Sequence, residues 1–337
     1  MTRTLLNTPI CELLGCRFPI LQAGMGGVAR AELVAAVCNA GAFGCLGMVR
    51  ESPETIIQQV RQVRSLTDKP FAVNLIPAAT DRKLFDSELD ACLDEDIGTF
   101  VFFWDVVDDA LARAKDGGCK VIHQVGSVEQ AIRAYDAGAD IIVAQGVEAG
   151  GHIHGGVSSL VLLPQIVDAV SVPVIGSGGF SDGRSLIAAL ALGAQGIHCG
   201  TAFLATYESF AHDIHKDAIV RASEDDTLYT DAFAINWPSH SPVRVLKNEA
   251  TLEIESRPMG HHAGDFPSEQ VADDEGRPVY FMSTDSPLRS MTGDLGHLAM
   301  YSGQVAGRVD EIKSAAGVVN EIVSEAETIL KQIKANC

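Results

Sequence analysis

Residues 173–203 read PVIGSGGFSDGRSLIAALALGAQGIHCGTAF, and this stretch decides the fold. A short apolar run, Pro173 to Gly179, breaks off in glycine. A segment with helical spacing follows, "SDGRSLIAALALGAQG", and stops at Gly193. A second apolar run, Gly196 to Phe203, comes next. The two runs are continuously apolar rather than alternating, as in strands covered on both faces. Strand, helix, strand in about thirty residues is the unit of a parallel sheet.

The unit recurs upstream. Apolar runs rich in Val, Ile and Phe lie at Phe18–Met25, Ala42–Met48, Phe71–Pro77, Thr99–Trp104, Lys120–Gly126 and Asp140–Gly146, making eight in all. The stretches between them carry helix signals. Ser52 precedes Pro53 as an N-cap before a first-turn proline. Ser127 with Gln130 reads as a capping box, with Gly138 at the stop. Eight such units predict an α/β fold of the (β/α)₈ TIM-barrel type. The rival is an open doubly wound sheet, but "AGMGGVA" after the first strand is not its GxGxxG turn.

Beyond Phe203 the pattern changes. "TYESFAHDIHKDAIVRASEDD" reads as helical, and "ESRPMGHHAGDFPSEQVADDEGRPVYFMSTDSP" as a long polar loop or lid edge. Helical spacing returns in "GHLAMYSGQVAGRV" and "VVNEIVSEAETILKQIK". The expected organisation is a barrel over 10–222 with a packing helix in 310–337, and a small, mostly helical cap over 223–309.

The chain has 337 residues and a net charge of −19, with 47% hydrophobic and 20% charged residues. That profile fits a globular protein with a large core and argues against nucleic acid or an acidic membrane as partner. No uncharged apolar run is long enough for a transmembrane helix, and the start has no clean signal-peptide core. The expected address is the cytoplasm. The 8 cysteines form no CxxC pair, and several sit in apolar runs, so they read as buried, reduced thiols. His212 and His215 lie three apart on a helical stretch but lack a third ligand, and no metal site is expected.

A barrel carries its active site at the C-terminal ends of its strands. Here those ends collect glycine and polar residues. "GSGG" (Gly176–Gly179) and "CGT" (Cys199–Thr201), on adjacent strands, present backbone N–H groups with little side chain in the way. That suits a phosphate, of a substrate or of a cofactor. The sixth end leads into "VEAGGHIHGG" (147–156). Its glycines allow close approach of a flat ligand, and an imidazole there is a candidate acid or base. His123 and His198 lie within strands and are expected to be satisfied by neighbours.

The ordered set "FPILQAGMGGVA", "NAGAFGCLG", "PFAVNL", "AQGVEAGGHIHGG", "PVIGSGGFSDG", "ALALGAQGIHCGTAFLATYES" and "YSGQVAG" resembles the nitronate monooxygenase family, formerly 2-nitropropane dioxygenases, over about residues 10 to 308. These are FMN-dependent TIM-barrel oxidoreductases, and the family also includes flavin-dependent enoyl-thioester reductases and NAD(P)H:quinone reductases. The resemblance implies FMN phosphate at Ser177, Gly178, Gly179, Gly200 and Thr201. It implies that Ala23, Gly24 and Met25 run against the isoalloxazine, that Asn74, Gln124, Ala149, Gly150 and Gly151 are further cofactor-binding positions, and that His152 is the catalytic histidine. His154 is expected to turn away from the flavin. The implied reaction is oxidation of alkyl nitronates by O₂ to a carbonyl compound and nitrite. The alternative on the same barrel is NAD(P)H-dependent reduction of an enoyl thioester or a quinone. The remaining alternative is a flavin-free barrel that binds a phosphorylated metabolite. A small-molecule substrate and a homodimer complete the expectations. Two departures stand out: Gly24 replaces the proline of the common QAPM motif, and His154 intervenes in "HIHGG".

Overall fold

A computed structural model describes residues 6–238 and 240–336. The remaining residues, Met1 to Leu5, Ser239 and Cys337, lie outside that description, and with them the eighth cysteine and the very start of the chain. The strands in chain order are β1 (Ile20–Gln22), β2 (Cys45–Gly47), β3 (Ala72–Leu75), β4 (Thr99–Phe102), β5 (Lys120–Val125), β6 (Ile141–Gln145), β7 (Gly151–His152), β8 (Val174–Ser177) and β9 (Ile197–Cys199). After them come β10 (Thr227–Thr230), β11 (Val243–Leu246), β12 (Gln270–Asp274), β13 (Arg277–Tyr280) and β14 (Met291–Gly293).

Each of the eight apolar runs contains one barrel strand. All but β7 of β1–β9 form one parallel sheet, in the order β1-β9-β8-β6-β5-β4-β3-β2. A parallel bridge between Leu21 and Phe43 joins the two ends, so the sheet closes on itself. Gln22, fully buried, reinforces that seam: its Oε1 accepts from Cys45 N at 3.0 Å and its Nε2 donates to Cys45 O at 3.1 Å. The chain is therefore a (β/α)₈ barrel.

Inward-facing Leu21, Phe43, Ala72, Val101, Ile122, Val143 and Ile175 fill the barrel, together with Ile10, Cys11 and Leu14 of helix Pro9–Leu14. A larger apolar layer lies between strands and helices. The caps read from the sequence are present. Ser52 accepts from Thr55 N and Ser127 from Gln130 N. The Gln130 side chain does not close the box on Ser127; it accepts from Gly126 N instead. The last helix, Ala315–Asn336, packs on helix Gly183–Ala191, and Glu325 accepts from Gly183 N at 2.8 Å.

The cap differs from its mostly helical expectation. Among the described residues of 223–309 there are five strands, one four-residue α-helix (Glu249–Leu252) and two 3₁₀ helices. "GHLAMYSGQVAGRV" is not one helix, because Tyr301 bridges to Val245 and Ser302 N bonds Arg244 O, pulling the backbone off a helical path. The helix in "TYESFAHDIHKDAIVRASEDD" is confined to Asp213–Arg221, with His212 as its N-cap. The polar stretch expected to be a loop contains the hairpin β12–β13. Its turn residues Glu275 and Gly276 have φ of 53° and 91°, the left-handed pair that a tight hairpin turn demands. A signal for it was present in "VADDEGRPVYF", apolar residues flanking an acidic residue and glycine.

β7 ties barrel and cap together. It pairs antiparallel with β11, His152 opposite Val243 and Gly151 opposite Arg244, in the sheet β10-β11-β7. The loop after the sixth barrel strand is thus a strand of the cap sheet. Among the described residues no helix is long and apolar enough to cross a membrane.

Candidate active site

One cavity of about 530 Å³ opens at the C-terminal ends of the barrel strands. All fourteen residues singled out in the sequence line it. Ala23, Gly24 and Met25 follow β1, Asn74 lies on β3 and Gln124 on β5. Ala149, Gly150, Gly151 and His152 follow β6. Ser177, Gly178 and Gly179 close β8, and Gly200 and Thr201 follow β9. The barrel supplies one wall. The cap supplies the other, through Asn236, Trp237, Arg277, Thr284, Tyr301 and their neighbours.

Two glycines at the rim make room for protein as well as for ligand. A Cβ at position 24 would stand 2.3 Å from Asn74 Cβ, so Gly24 is matched to the Asn74 side chain, which itself donates to Val101 O at 2.9 Å. Proline could not occupy that position without moving Asn74. A Cβ on Gly150 would stand 2.4 Å from Gly303 N. Gly150 therefore admits the backbone of the cap, a correction to the reading that it serves a flat ligand alone. Gly151, by contrast, has open space around it and a φ of 76°.

His152 is held by β7 and covered by Trp237, whose ring stacks on the imidazole at 3.4 Å between centroids and 15° between planes. Trp104 meets the imidazole edge-on at 6.1 Å. Trp104 has a φ of 77°, a left-handed conformation that a bulky residue adopts only under constraint. Burial, with the Arg50 cation adding to it, holds the His152 pKa well below the usual imidazole value. The ring is therefore neutral near pH 7. Its Nε2 is shielded and has no protein partner, and the same holds for Oε1 of Gln145, whose Nε2 donates to His152 O at 2.9 Å. Two unpartnered polar atoms in the wall of one cavity fit a ligand that supplies their hydrogen bonds.

His154 points elsewhere. Its Nε2 lies 2.9 Å from Gln130 Nε2 and 3.2 Å from Asp105 Oδ1, and its ring packs edge-on against Trp104. It does not line the cavity. His198 does, with its Nδ1 3.1 Å from Ser177 Oγ. Burial pushes His198 down to about 4, so it too is neutral. His123 is also buried, but only its Nδ1 finds a partner, Gln124 O; its Nε2 has none. His212 and His215 do not converge: the first caps its helix and the second contacts Tyr301 O. Among the described residues the group with metal-ligand spacing is Glu249, Asp294 and His297, and none of the three lines the cavity.

The residue that sequence reasoning missed is Arg50, in the loop after β2. Its guanidinium donates to Asn236 O and, at 3.3 Å, to Thr284 Oγ1. Among the described residues it makes no ion pair. Burial lowers its pKa, yet arginine stays charged, so the cavity wall holds a cation bonded only to neutral oxygens. Trp237 was also missed. Both contact the site through the cap or through a strained loop, and no local pattern announces either.

Comparison with known proteins completes the picture. The family model for nitronate monooxygenase matches residues 7–85 and 78–325. The chain belongs to the nitronate monooxygenase family. Within reach of this family member is a Mycobacterium tuberculosis protein named (3aS,4S,5R,7aS)-5-hydroxy-7a-methyl-1-oxo-octahydro-1H-indene-4-carboxyl-CoA dehydrogenase, 34% identical over 98% of this chain and 99% of its own. A probable nitronate monooxygenase of Staphylococcus saprophyticus is 29% identical over 97% and 99%. Among solved structures, FabK from Thermotoga maritima superposes with a TM-score of 0.83 at 31% identity, covering 98% of this chain and 99% of that one. This nitronate monooxygenase family member is an enzyme, and its relatives' names place it among oxidoreductases.

Proposed function

We propose that this enzyme is an FMN-dependent oxidoreductase that oxidises alkyl nitronates with O₂ to a carbonyl compound and nitrite. The observation that carries the reading is Arg50: a half-buried guanidinium in the wall of the cavity, bonded only to neutral oxygens. A nitronate is a small planar anion, and it supplies the counter-charge that Arg50 lacks. FMN suits the other side of the cavity. Ser177, Gly178, Gly179, Gly200 and Thr201 would hold its phosphate. Ala23, Gly24, Met25, Asn74, Gln124 and the Ala149–Gly151 loop would border its ring. Bound there, FMN would supply the electron transfer. The protein binds and orients the substrate, keeps water out beneath Trp237, and presents a neutral His152. That imidazole can accept the α-proton of a neutral nitroalkane or donate a hydrogen bond to a nitronate oxygen. The acidic composition and the reduced thiols accord with a cytoplasmic enzyme without a nucleic-acid partner, and we expect a homodimer.

A second reading is NAD(P)H-dependent reduction of an enoyl thioester or a quinone. The likeness to a protein named as a carboxyl-CoA dehydrogenase favours it. Arg50 would then face the oxygen that gains charge on reduction, and His152 would hold the proton to be donated. Nitrite release from propyl nitronate in air, against NAD(P)H oxidation with an enoyl-CoA or a quinone, separates the two. Nitrite without NAD(P)H oxidation supports the first reading. NAD(P)H oxidation with no nitrite overturns it. A purified protein that never retains or binds FMN overturns both.

A further inference from the structure

Beneath the loop that carries Arg50 lies an acid with no evident employment. Glu88, on helix Arg82–Asp94, is 0% exposed. Both of its carboxyl oxygens are shielded and neither has a protein hydrogen bond of good geometry. Burying an acid this way is destabilising unless something offsets it. Its neighbours show what it faces. Burial pushes its pKa up to about 8, while the backbone amides of Arg50 and Glu51 pull against that rise. The Glu51 carboxylate raises it and the Arg50 cation lowers it. Cys92, one turn along the same helix, feels its charge. Other charges nearby are already engaged: Arg30 holds Glu51 at 2.8 Å, and Arg113 of the next helix holds Asp86 and Asp90 on the outer face.

The loop above needs support. Arg50 has a φ of 57°, a left-handed backbone without glycine, and the Glu51 amide reaches Met48 O only at 3.4 Å. We propose that Glu88 is a positioning residue: sealed under the Arg50 and Glu51 amides, it fixes this loop so that the Arg50 side chain enters the cavity beside His152. The substrate role of Arg50 rests on the function proposed above; the positioning of Arg50 by Glu88 does not. The device has two states. As a neutral acid Glu88 leaves Arg50 at full charge. As a carboxylate it sets a negative charge beneath Arg50 and weakens the pull of the cavity on an anion.

The chain reports on this itself. Of its 2 tryptophans, Trp237 lines the cavity and Trp104 packs against it, 5.2 Å away, and Trp237 follows Asn236, whose carbonyl accepts from Arg50. The experiment is a titration of tryptophan fluorescence in the flavin-loaded enzyme, with KM and kcat for propyl nitronate and for an enoyl-CoA followed over the same range. Wild type should show a fluorescence inflection near pH 8, the value at which Glu88 ionises, and a KM that climbs above it. Glu88→Gln, which keeps the shape and stays neutral, should lose both and hold KM near its low-pH value. Glu88→Ala should raise KM by about tenfold across the range with a smaller change in kcat. Arg50→Gln should lose the inflection as well, since Arg50 carries the signal. If Glu88→Gln keeps the inflection, or Glu88→Ala folds and matches wild type in tryptophan fluorescence over the whole titration, the proposal is overturned. If Arg50→Gln leaves KM unchanged for every substrate while Glu88→Gln still abolishes the fluorescence inflection, the positioning role stands and the function proposed for Arg50 falls.

Discussion

Gly150→Ala tests how the active-site loop is held. An added Cβ would stand 2.4 Å from Gly303 N, 2.5 Å from Ser302 C and 2.9 Å from Ser302 Cα, where ordinary contact begins at 3.4 Å. All three atoms are backbone, so no side chain can swing aside. The cap segment must withdraw by roughly 1 Å. Two hydrogen bonds stand in the way: Gly303 N to Thr201 Oγ1 at 3.0 Å and Gln304 N to Glu148 O at 3.1 Å. Overpacking costs about 1–3 kcal/mol and each of the two lost hydrogen bonds about 1 kcal/mol, for a total of about 3–5 kcal/mol. Gly151→Ala is the internal control. Its Cβ would meet nothing, but its φ of 76° is unfavourable to alanine by about 1–2 kcal/mol. Urea denaturation of both variants, with and without FMN, should rank Gly150→Ala as the more destabilised. It should also show the larger loss of flavin affinity, because Thr201 lies at the strand end expected to hold the phosphate. Wild-type stability in Gly150→Ala, or a reversed ranking, would refute the argument from close backbone approach.

Three further outcomes are expected. His152→Ala should lower kcat by about 10²–10⁴-fold, and the wild-type kcat profile should show no inflection between about pH 6 and 7, since burial keeps His152 neutral there. Trp237→Ala uncovers the imidazole, so its pKa should climb toward the ordinary value near 6.5 and a new acid limb should enter the profile, visible also in the proton NMR titration of the ring. Glu88 should tilt stability with pH in a direction opposite to ordinary carboxylates. Its pKa rises from 4.5 unfolded to about 8 folded, so the native state keeps a proton that the unfolded state has lost. Stability then falls as pH rises from 4.5 to 8, by up to about 5 kcal/mol at 1.36 kcal/mol per unit. The difference between wild type and Glu88→Gln in urea midpoints from about pH 5 to 8.5 should trace that fall; parallel curves for the two proteins would exclude a raised Glu88 pKa.

The barrel was legible because its information is local. Each strand is a continuous apolar run that must be covered on both faces, and each helix announces itself through a cap such as Ser52 or Ser127. Repeated eight times, such units leave few closed arrangements. The rim was legible for the same reason: once the strands are placed, their C-terminal ends are placed too, and the chosen glycines and polar residues fall on one cavity. The cap was not. Its strands are short, its sequence is rich in Gly, Pro and charge, and its order comes from pairing with distant segments. The hairpin at Glu275–Gly276 carries a local turn signal, an acidic residue and glycine between apolar residues, although the segment as a whole reads as a polar loop.

The two histidines divide along the same line. Sequence alone set a glycine-flanked pair of imidazoles at the end of the sixth barrel strand and, through its resemblance, selected His152. Tertiary structure decided what each one does. Val243 pairs with His152, Trp237 covers it and Arg50 stands near it, whereas Gln130 and Asp105 draw His154 away. Those partners lie between 24 and 102 residues along the chain from the imidazole each one meets. A local pattern can fix where a side chain leaves the backbone, but its charge state and its cover are set by whatever the fold brings against it.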